Sequence, residues 1–183
     1  EIGPEALFVA IKGDRFDGHD FVDTALANGA VAALVDHGEG AGRITVPDAL
    51  GGLVDLARAS RARNRGLIVG VTGSVGKTTT RQMIHTVLGS KFRGTCSPRN
   101  YNNHIGLPLS MLQMEPDHDF AVLELGASGP GEIARLAALS RPTVGVITHV
   151  GDAHLGGFGS RQGVADAKAE LLDALPSEGC AIL

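Results

Sequence analysis

The run Leu67-Ile68-Val69-Gly70-Val71, followed by Thr72-Gly73-Ser74-Val75-Gly76-Lys77-Thr78-Thr79, decides the fold. An apolar strand that feeds a glycine turn, with Lys-Thr opening a helix behind it, is the layout of a phosphate-binding loop. The glycines let successive backbone N–H groups curl inward onto a polyphosphate. Lys77 supplies a mobile charge for the outer phosphates, and the Thr78 hydroxyl is a ligand for Mg²⁺. Val71 stands where the pattern G-x-x-x-x-G-K-[ST] has its first glycine. The alternative is a Gly/Thr-rich turn before an ordinary helix, but strand, loop and helix all fall where the motif needs them. The segment therefore reads as a site for ATP or GTP with magnesium. Its candidate contacts are Thr72, Gly73, Ser74, Val75, Gly76, Lys77, Thr78 and Thr79.

Outward from this loop the pattern alternates. A helix is expected from Lys77 to Leu88, a strand near Phe92–Cys96, a helix from Ile105 to Gln113, a strand over 119–125 and a helix near 130–139. A strand over 143–148, a glycine-rich loop and a helix over 161–175 complete the series. Repeated βα units with continuous apolar strands imply a mostly parallel sheet covered on both faces. Before the loop, Ala6–Ile11, Val31–Val35 and Ile44–Val46 read as short strands, with helices near Asp20–Asn28 and from Pro47 to Arg63. The polar, basic stretch Ser60–Gly66 reads as a domain boundary, with a solvated helix end as the alternative. The expected fold class is α/β: a small amino-terminal α/β domain over 1–63, then a central domain of the P-loop NTPase type over 64–183.

Composition agrees with a packed α/β chain. Of 183 residues, 43% are hydrophobic and only 4% aromatic, so aliphatic packing must build the core. A net charge of −4 argues against a nucleic-acid partner. The sequence has no apolar run long enough for a membrane helix and no signal peptide, and reads as soluble, cytoplasmic and monomeric. The two cysteines, Cys96 and Cys180, are too few for a disulfide framework and read as buried free thiols. The chain opens at Glu1 without Met and stops inside the apolar run Cys180–Leu183, so both ends read as cut from something longer.

In an open α/β sheet, ligands sit beyond the carboxyl ends of the strands. Glu124 ends the apolar run Phe120–Leu123, where a carboxylate needs a cation. That cation is either Mg²⁺ or a neighbouring Arg or Lys. His149, Asp152 and His154 lie in the loop after the strand over 143–148. Lys168 falls on the apolar stripe Val164, Leu171, Leu172 and Leu175. It either snorkels its ammonium to water or is buried with a depressed pKa and open to chemistry. The loop Ser97–His104 carries Asn100, Asn102 and Asn103. It reads either as a recognition surface for polar substrate groups or as a solvated turn capping the next helix.

Six segments in order resemble the Mur ligases of peptidoglycan precursor synthesis. They are LFVAIKGDRFDGHDFVDTALANGAVAALV from Leu7, VTGSVGKTTT from Val71, NYNNHIGLPLSML from Asn100, LELGASGPGEIARLA from Leu123, ITHVGDAHLGGFGS from Ile147 and ADAKAELLDALP from Ala165. Asn-x-Asn-Asn-x-Ile-Gly and Glu-Leu-Gly-Ala…Gly-Glu-Ile favour a dipeptide-adding member over the diaminopimelate- or lysine-adding one and over folylpolyglutamate synthase.

The resemblance implies ATP-driven ligation of D-Ala-D-Ala to UDP-N-acetylmuramoyl-tripeptide through an acyl phosphate. It implies that Thr78 and Glu124 hold one Mg²⁺, and that His154 with Lys168 holds a second. Lys168 would be carbamylated, and Lys77 and Lys168 would be the catalytic pair. Asp17, Gly18 and His19 would hold the UDP part of the substrate, and the three asparagines its polar groups. Two positions depart from the family: His149 stands where Asn is common, and Gly156 where Glu is common. Relatives also carry a third, carboxy-terminal domain and an amino-terminal Ser-Arg motif, so this stretch alone is expected not to complete ligation. Two rivals stand beside this reading. A P-loop switch NTPase leaves Lys168, His154 and the Asn loop without roles. A related ligase would add one amino acid instead of two.

Overall fold

The computed structural model describes residues 2–3, 5–152 and 155–183, so His154 lies outside the described residues. The chain forms two compact units, Glu1–Leu56 and Ala57–Leu183. In the first, β1 (Leu7–Val9), β2 (Ala32–Val35) and β3 (Arg43–Thr45) form a parallel sheet in the order β1-β2-β3. A 3₁₀ turn over Gly18–Phe21 leads into α1 (Val22–Ala27). Ala10, Val22, Ala33 and Val35 close a small core.

The helix α2 (Ala49–Arg63) carries the division between the units. Ala57 is wholly buried in the second unit's core. Arg61 Nε donates to Ser140 O at 2.9 Å. The alternative of a solvated helix end fails at Asn64, which is only 3% exposed and donates to Glu115 O at 2.7 Å. Its side-chain oxygen accepts from Gly66 N at 2.9 Å, so this amide fixes the entry into the next strand.

The second unit is built on β4 (Leu67–Thr72), β5 (Gly94–Cys96), β6 (Phe120–Glu124), β7 (Val144–Ile147) and β8 (Cys180–Ile182). Their order is β5-β6-β4-β7-β8, and every pairing described is parallel. The helices α3 (Lys77–Gly89), α4 (Gly106–Leu112), α5 (Glu132–Ser140) and α7 (Arg161–Asp173) cover the sheet. A single turn, α6 (Leu155–Phe158), interrupts the expected glycine-rich loop.

The period-2 alternation of the strands sorts their side chains onto the two faces. Val69, Val71, Phe120, Val122 and Val146 pack against Ile84 and Leu88 of α3. Ile68, Ala121, Leu123 and Leu125 pack on the other face against Leu107, Met111, Ile133, Leu136 and Leu171. Each fully buried Leu or Ile of this layer contributes about 1.5–3 kcal/mol. One expectation is corrected at the sheet edge. Cys180 is exposed in β8 and Cys96 is half-buried in β5, and these are the two edge strands of the sheet. Among the described residues, no helix is long and apolar enough to cross a membrane.

Candidate nucleotide site

The chain turns sharply after β4. Gly73 sits at φ +151°, and a Cβ there would collide with the Thr148 hydroxyl, so only glycine lets the loop pass the end of β7. Thr148 Oγ1 donates to Val75 O at 2.6 Å and lies 3.2 Å from Thr72 O. Ser74 N donates to His149 O at 2.8 Å. The Ser74 hydroxyl lies 3.0 Å from both the carbonyl and the amide of Gly151. Lys77 folds back so that Nζ donates to Gly73 O at 2.7 Å, which places its charge inside the loop's curl. Gly76 is the N-cap of α3 and no side chain caps that helix, so its free N–H groups face the loop.

Strand alternation decides where Glu124 goes. It follows Phe120 and Val122 on the face that meets α3, and Thr78 and Arg81 lie one turn apart on that helix. Glu124 is 2% exposed, and three donors surround its carboxylate. Thr78 Oγ1 and Arg81 Nη1 donate to Oε2 at 2.9 and 3.5 Å, and Asn102 Nδ2 donates to Oε1 at 2.9 Å. Its own amide donates to Ser97 Oγ at 3.1 Å. The cation expected beside Glu124 is therefore present, as the buried Arg81. The oxygens also suit a hard metal: bonds of 2.0–2.1 Å in an octahedron give a ligand–ligand edge of about 2.9 Å. The Thr78–Glu124 separation of 2.9 Å equals that edge.

The Asn-rich loop caps the next helix and reaches the buried carboxylate. Asn103 Oδ1 accepts from Ile105 N at 3.1 Å and Gly106 N at 2.8 Å, capping α4. Asn102 meets Glu124, and Gly126 N donates back to Asn102 O at 2.8 Å. Beside them opens a cavity of about 540 Å³ lined by Asn103, His104, Ser128, Glu132 and Arg135. Asn100 is exposed and meets neither Glu124 nor the cavity lining.

Lys168 does not snorkel. It is 4% exposed, packed with Val164, Ala167 and Leu171 on the buried face of α7. Its Nζ lies 5.8 Å from the centre of the Phe158 ring. Desolvation, followed by the charge of Lys77, holds its pKa below the ordinary lysine value. Among the described residues it makes no ion pair. His149 and Asp152 are exposed.

In the first unit, Asp17 and His19 meet. Asp17 Oδ1 accepts from His19 N at 3.0 Å and lies 2.7 Å from His19 Nδ1. These bonds, the backbone one first, hold the Asp17 carboxyl below its ordinary pKa. Gly18 passes within a close approach of Ile11, where a Cβ would lie 2.6 Å from Ile11 N. His19 Nε2 accepts from Asp36 N at 3.2 Å, and the His19 ring stacks on His37 at 3.8 Å.

Sequence reading missed Arg81, Ser97 and Thr148. Arg81 was open to discovery, since it lies one helical turn beyond Thr78 and so shares its face. Thr148 and Ser97 act through the register of neighbouring strands, which the sequence does not display.

A parallel sheet with a glycine loop, a lysine and a buried carboxylate at its carboxyl edge defines a P-loop nucleotide-binding domain of the α/β class. Residues 71–183 match the family model of the Mur ligase middle domain, and residues 1–65 match that of the Mur ligase family catalytic domain. The chain belongs to the Mur ligase family. It is 46% identical over 183 residues to UDP-N-acetylmuramoyl-tripeptide–D-alanyl-D-alanine ligase of Synechocystis, covering 97% of this chain and 40% of that protein. Among solved structures, MurF from Acinetobacter baumannii superposes with a TM-score of 0.91 at 36% identity, over 98% of this chain and 40% of that one. MurF ligase from Thermotoga maritima in complex with ADP gives 0.88 at 39% identity, over 99% and 43%. The chain thus spans about 40% of the length of the curated relatives it matches.

Proposed function

We propose that this chain is the amino-terminal and central part of a cytoplasmic, ATP-dependent ligase that joins D-Ala-D-Ala to UDP-N-acetylmuramoyl-tripeptide. The observation that carries the reading is the convergence of Lys77, Thr78, Glu124 and Asn102 at one end of the sheet, beside a polar cavity. A switch NTPase needs the first three but has no use for Asn102 and the cavity. Residues 1–63 form the UDP-substrate domain on this reading, with Asp17, Gly18 and His19 in its site. Residues 64–183 form the ATP domain, and Asn102 and Asn103 face the acceptor peptide, whereas Asn100, expected to join them, lies off the cavity.

The acceptor's terminal carboxylate forms a bond to the γ-phosphorus as the bond to ADP breaks, giving an acyl phosphate. The dipeptide amine then forms the C–N bond, phosphate leaves with the C–O bonding pair, and the amine gives up a proton. Lys77 leaves Gly73 O to follow the transferring phosphoryl group and offset its charge. Thr78 and Glu124 would hold one Mg²⁺, and Lys168 with His154 a second; the ions would supply charge neutralisation at the phosphates. Asn102 holds Glu124 in the rotamer that faces Thr78. Lys168 is desolvated, so more of its amine is neutral, and a neutral amine adds CO₂ to give the anionic carbamate that a metal requires.

The test is phosphate release by the full-length protein with ATP, Mg²⁺ and the nucleotide-linked tripeptide, with and without D-Ala-D-Ala. Release that requires both acceptor and dipeptide supports the ligase. Release stimulated by a single amino acid instead would point to another Mur-type ligase, and release indifferent to both would leave a P-loop NTPase.

A further inference from the structure

We propose that Arg81 is a positioning residue that locks the acceptor-facing loop over 97–104 to the nucleotide–metal site, so that the two respond to each other. The proposal rests on the functional reading above and concerns residues of the second unit alone. Arg81 is 5% exposed, and its Nη1 reaches two acceptors. It donates to Arg99 O at 2.6 Å and approaches Glu124 Oε2 at 3.5 Å. The short bond runs to the loop and the long one to the carboxylate.

Two further observations show that the guanidinium is committed to this task. Among the described residues its buried Nε has no partner, so the group forgoes a hydrogen bond to keep Nη1 where it is. Arg99, whose carbonyl it grips, sits at φ +45°, a conformation a side-chain-bearing residue holds only when its surroundings impose it. Beyond Arg99 the loop continues to Asn102, which binds the other oxygen of Glu124, and to Asn103 on the rim of the cavity. The loop is thus pinned at both ends of one carboxylate, by Arg81 on one side and by Asn102 on the other.

The coupling has a definite direction. Glu124 would hold a divalent cation through Oε2, the oxygen that Nη1 approaches at 3.5 Å, and the guanidinium would then bear on Arg99 O, its nearer acceptor at 2.6 Å. Metal–nucleotide binding therefore tightens the loop that faces the acceptor, and an acceptor seated on that loop strengthens nucleotide binding by the same factor.

Amide hydrogen exchange on this chain tests the proposal, with ADP alone and with ADP plus Mg²⁺, in wild type, Arg81→Met and Arg81→Lys. In the wild type, ADP plus Mg²⁺ should slow exchange in both 73–79 and 97–104, and ADP alone should slow only 73–79. Loss of a charge-assisted hydrogen bond should speed loop exchange by about ten-fold or more in Arg81→Met, with 73–79 still protected on nucleotide binding. Arg81→Lys keeps the charge and should restore part of the loop protection; it also serves if Arg81→Met fails to fold. Unchanged exchange of 97–104 in both variants overturns the proposal, as does loop exchange that rises only in step with that of the whole unit. Absence of any protection by ADP plus Mg²⁺ in the wild type sinks the nucleotide reading itself, and this inference with it.

Discussion

Thr78 Oγ1 stands 2.9 Å from Glu124 Oε2, joining the first turn of α3 to the end of a strand 46 residues further along the chain. Both residues are held before any ligand arrives, so the site is preorganised. Removing one partner of the buried Arg81–Glu124 pair leaves a charge without compensation. Glu124→Ala should therefore destabilise the second unit by about 3 kcal/mol, and Glu124→Gln by less, as measured by urea denaturation. Equal stability of Glu124→Ala and wild type would show that Arg81 finds another partner.

Gly73→Ala places a methyl group against Thr148 at a φ that L-residues avoid. The loop should reorganise at a cost of about 1–3 kcal/mol, and calorimetric binding of ADP with Mg²⁺ should fall at least ten-fold. Retention of wild-type affinity would mean that the loop does not cradle the phosphates.

Lys168 gives a case in which stability and function oppose each other. Its desolvated amine makes no ion pair among the described residues, so Lys168→Met should keep or raise the melting temperature. The same change should abolish amide formation by the full-length protein. With ¹³C-bicarbonate, the wild type should show a carbamate resonance that strengthens as pH rises, since only the unprotonated amine adds CO₂. A resonance that persists in Lys168→Met would place the carbamate elsewhere.

Asp17 predicts an acid response of the first unit. Its pKa is lowered in the fold from the ordinary 3.8 by the His19 backbone and ring. A lowered carboxyl contributes stability that is fully present above the unfolded value and lost as pH falls through the folded one. The difference in melting temperature between wild type and Asp17→Asn should therefore hold steady above pH 4 and shrink below it. A difference that stays constant to pH 2 would mean that the His19 contacts do not favour the ionised form.

How much of this was legible before the structure depends on how far each signal reaches along the chain. β4, the loop and α3 were legible because apolar run, glycines and Lys-Thr are contiguous. Glu124 and Lys168 stood out because a charge on an apolar stripe needs an explanation that local sequence cannot supply. Whether Lys168 reached water was not legible, because that depends on Phe158 and the packing of α7 on the sheet. Arg81 was hidden for the same reason: its acceptors, Arg99 O and Glu124, lie on segments that only strand order brings together. The exposure of Cys180 followed from β8 lying at the sheet edge, which composition could not show.

The paired contacts between Ser74 and Gly151 turn the phosphate loop into one arm of a lever. The other arm is the stretch after β7, which leads through α6 to α7 and Lys168. Replacing the Ser74 hydroxyl would remove this pair of contacts and leave the Ser74 N–His149 O and Thr148–Val75 O bonds to tie the two segments.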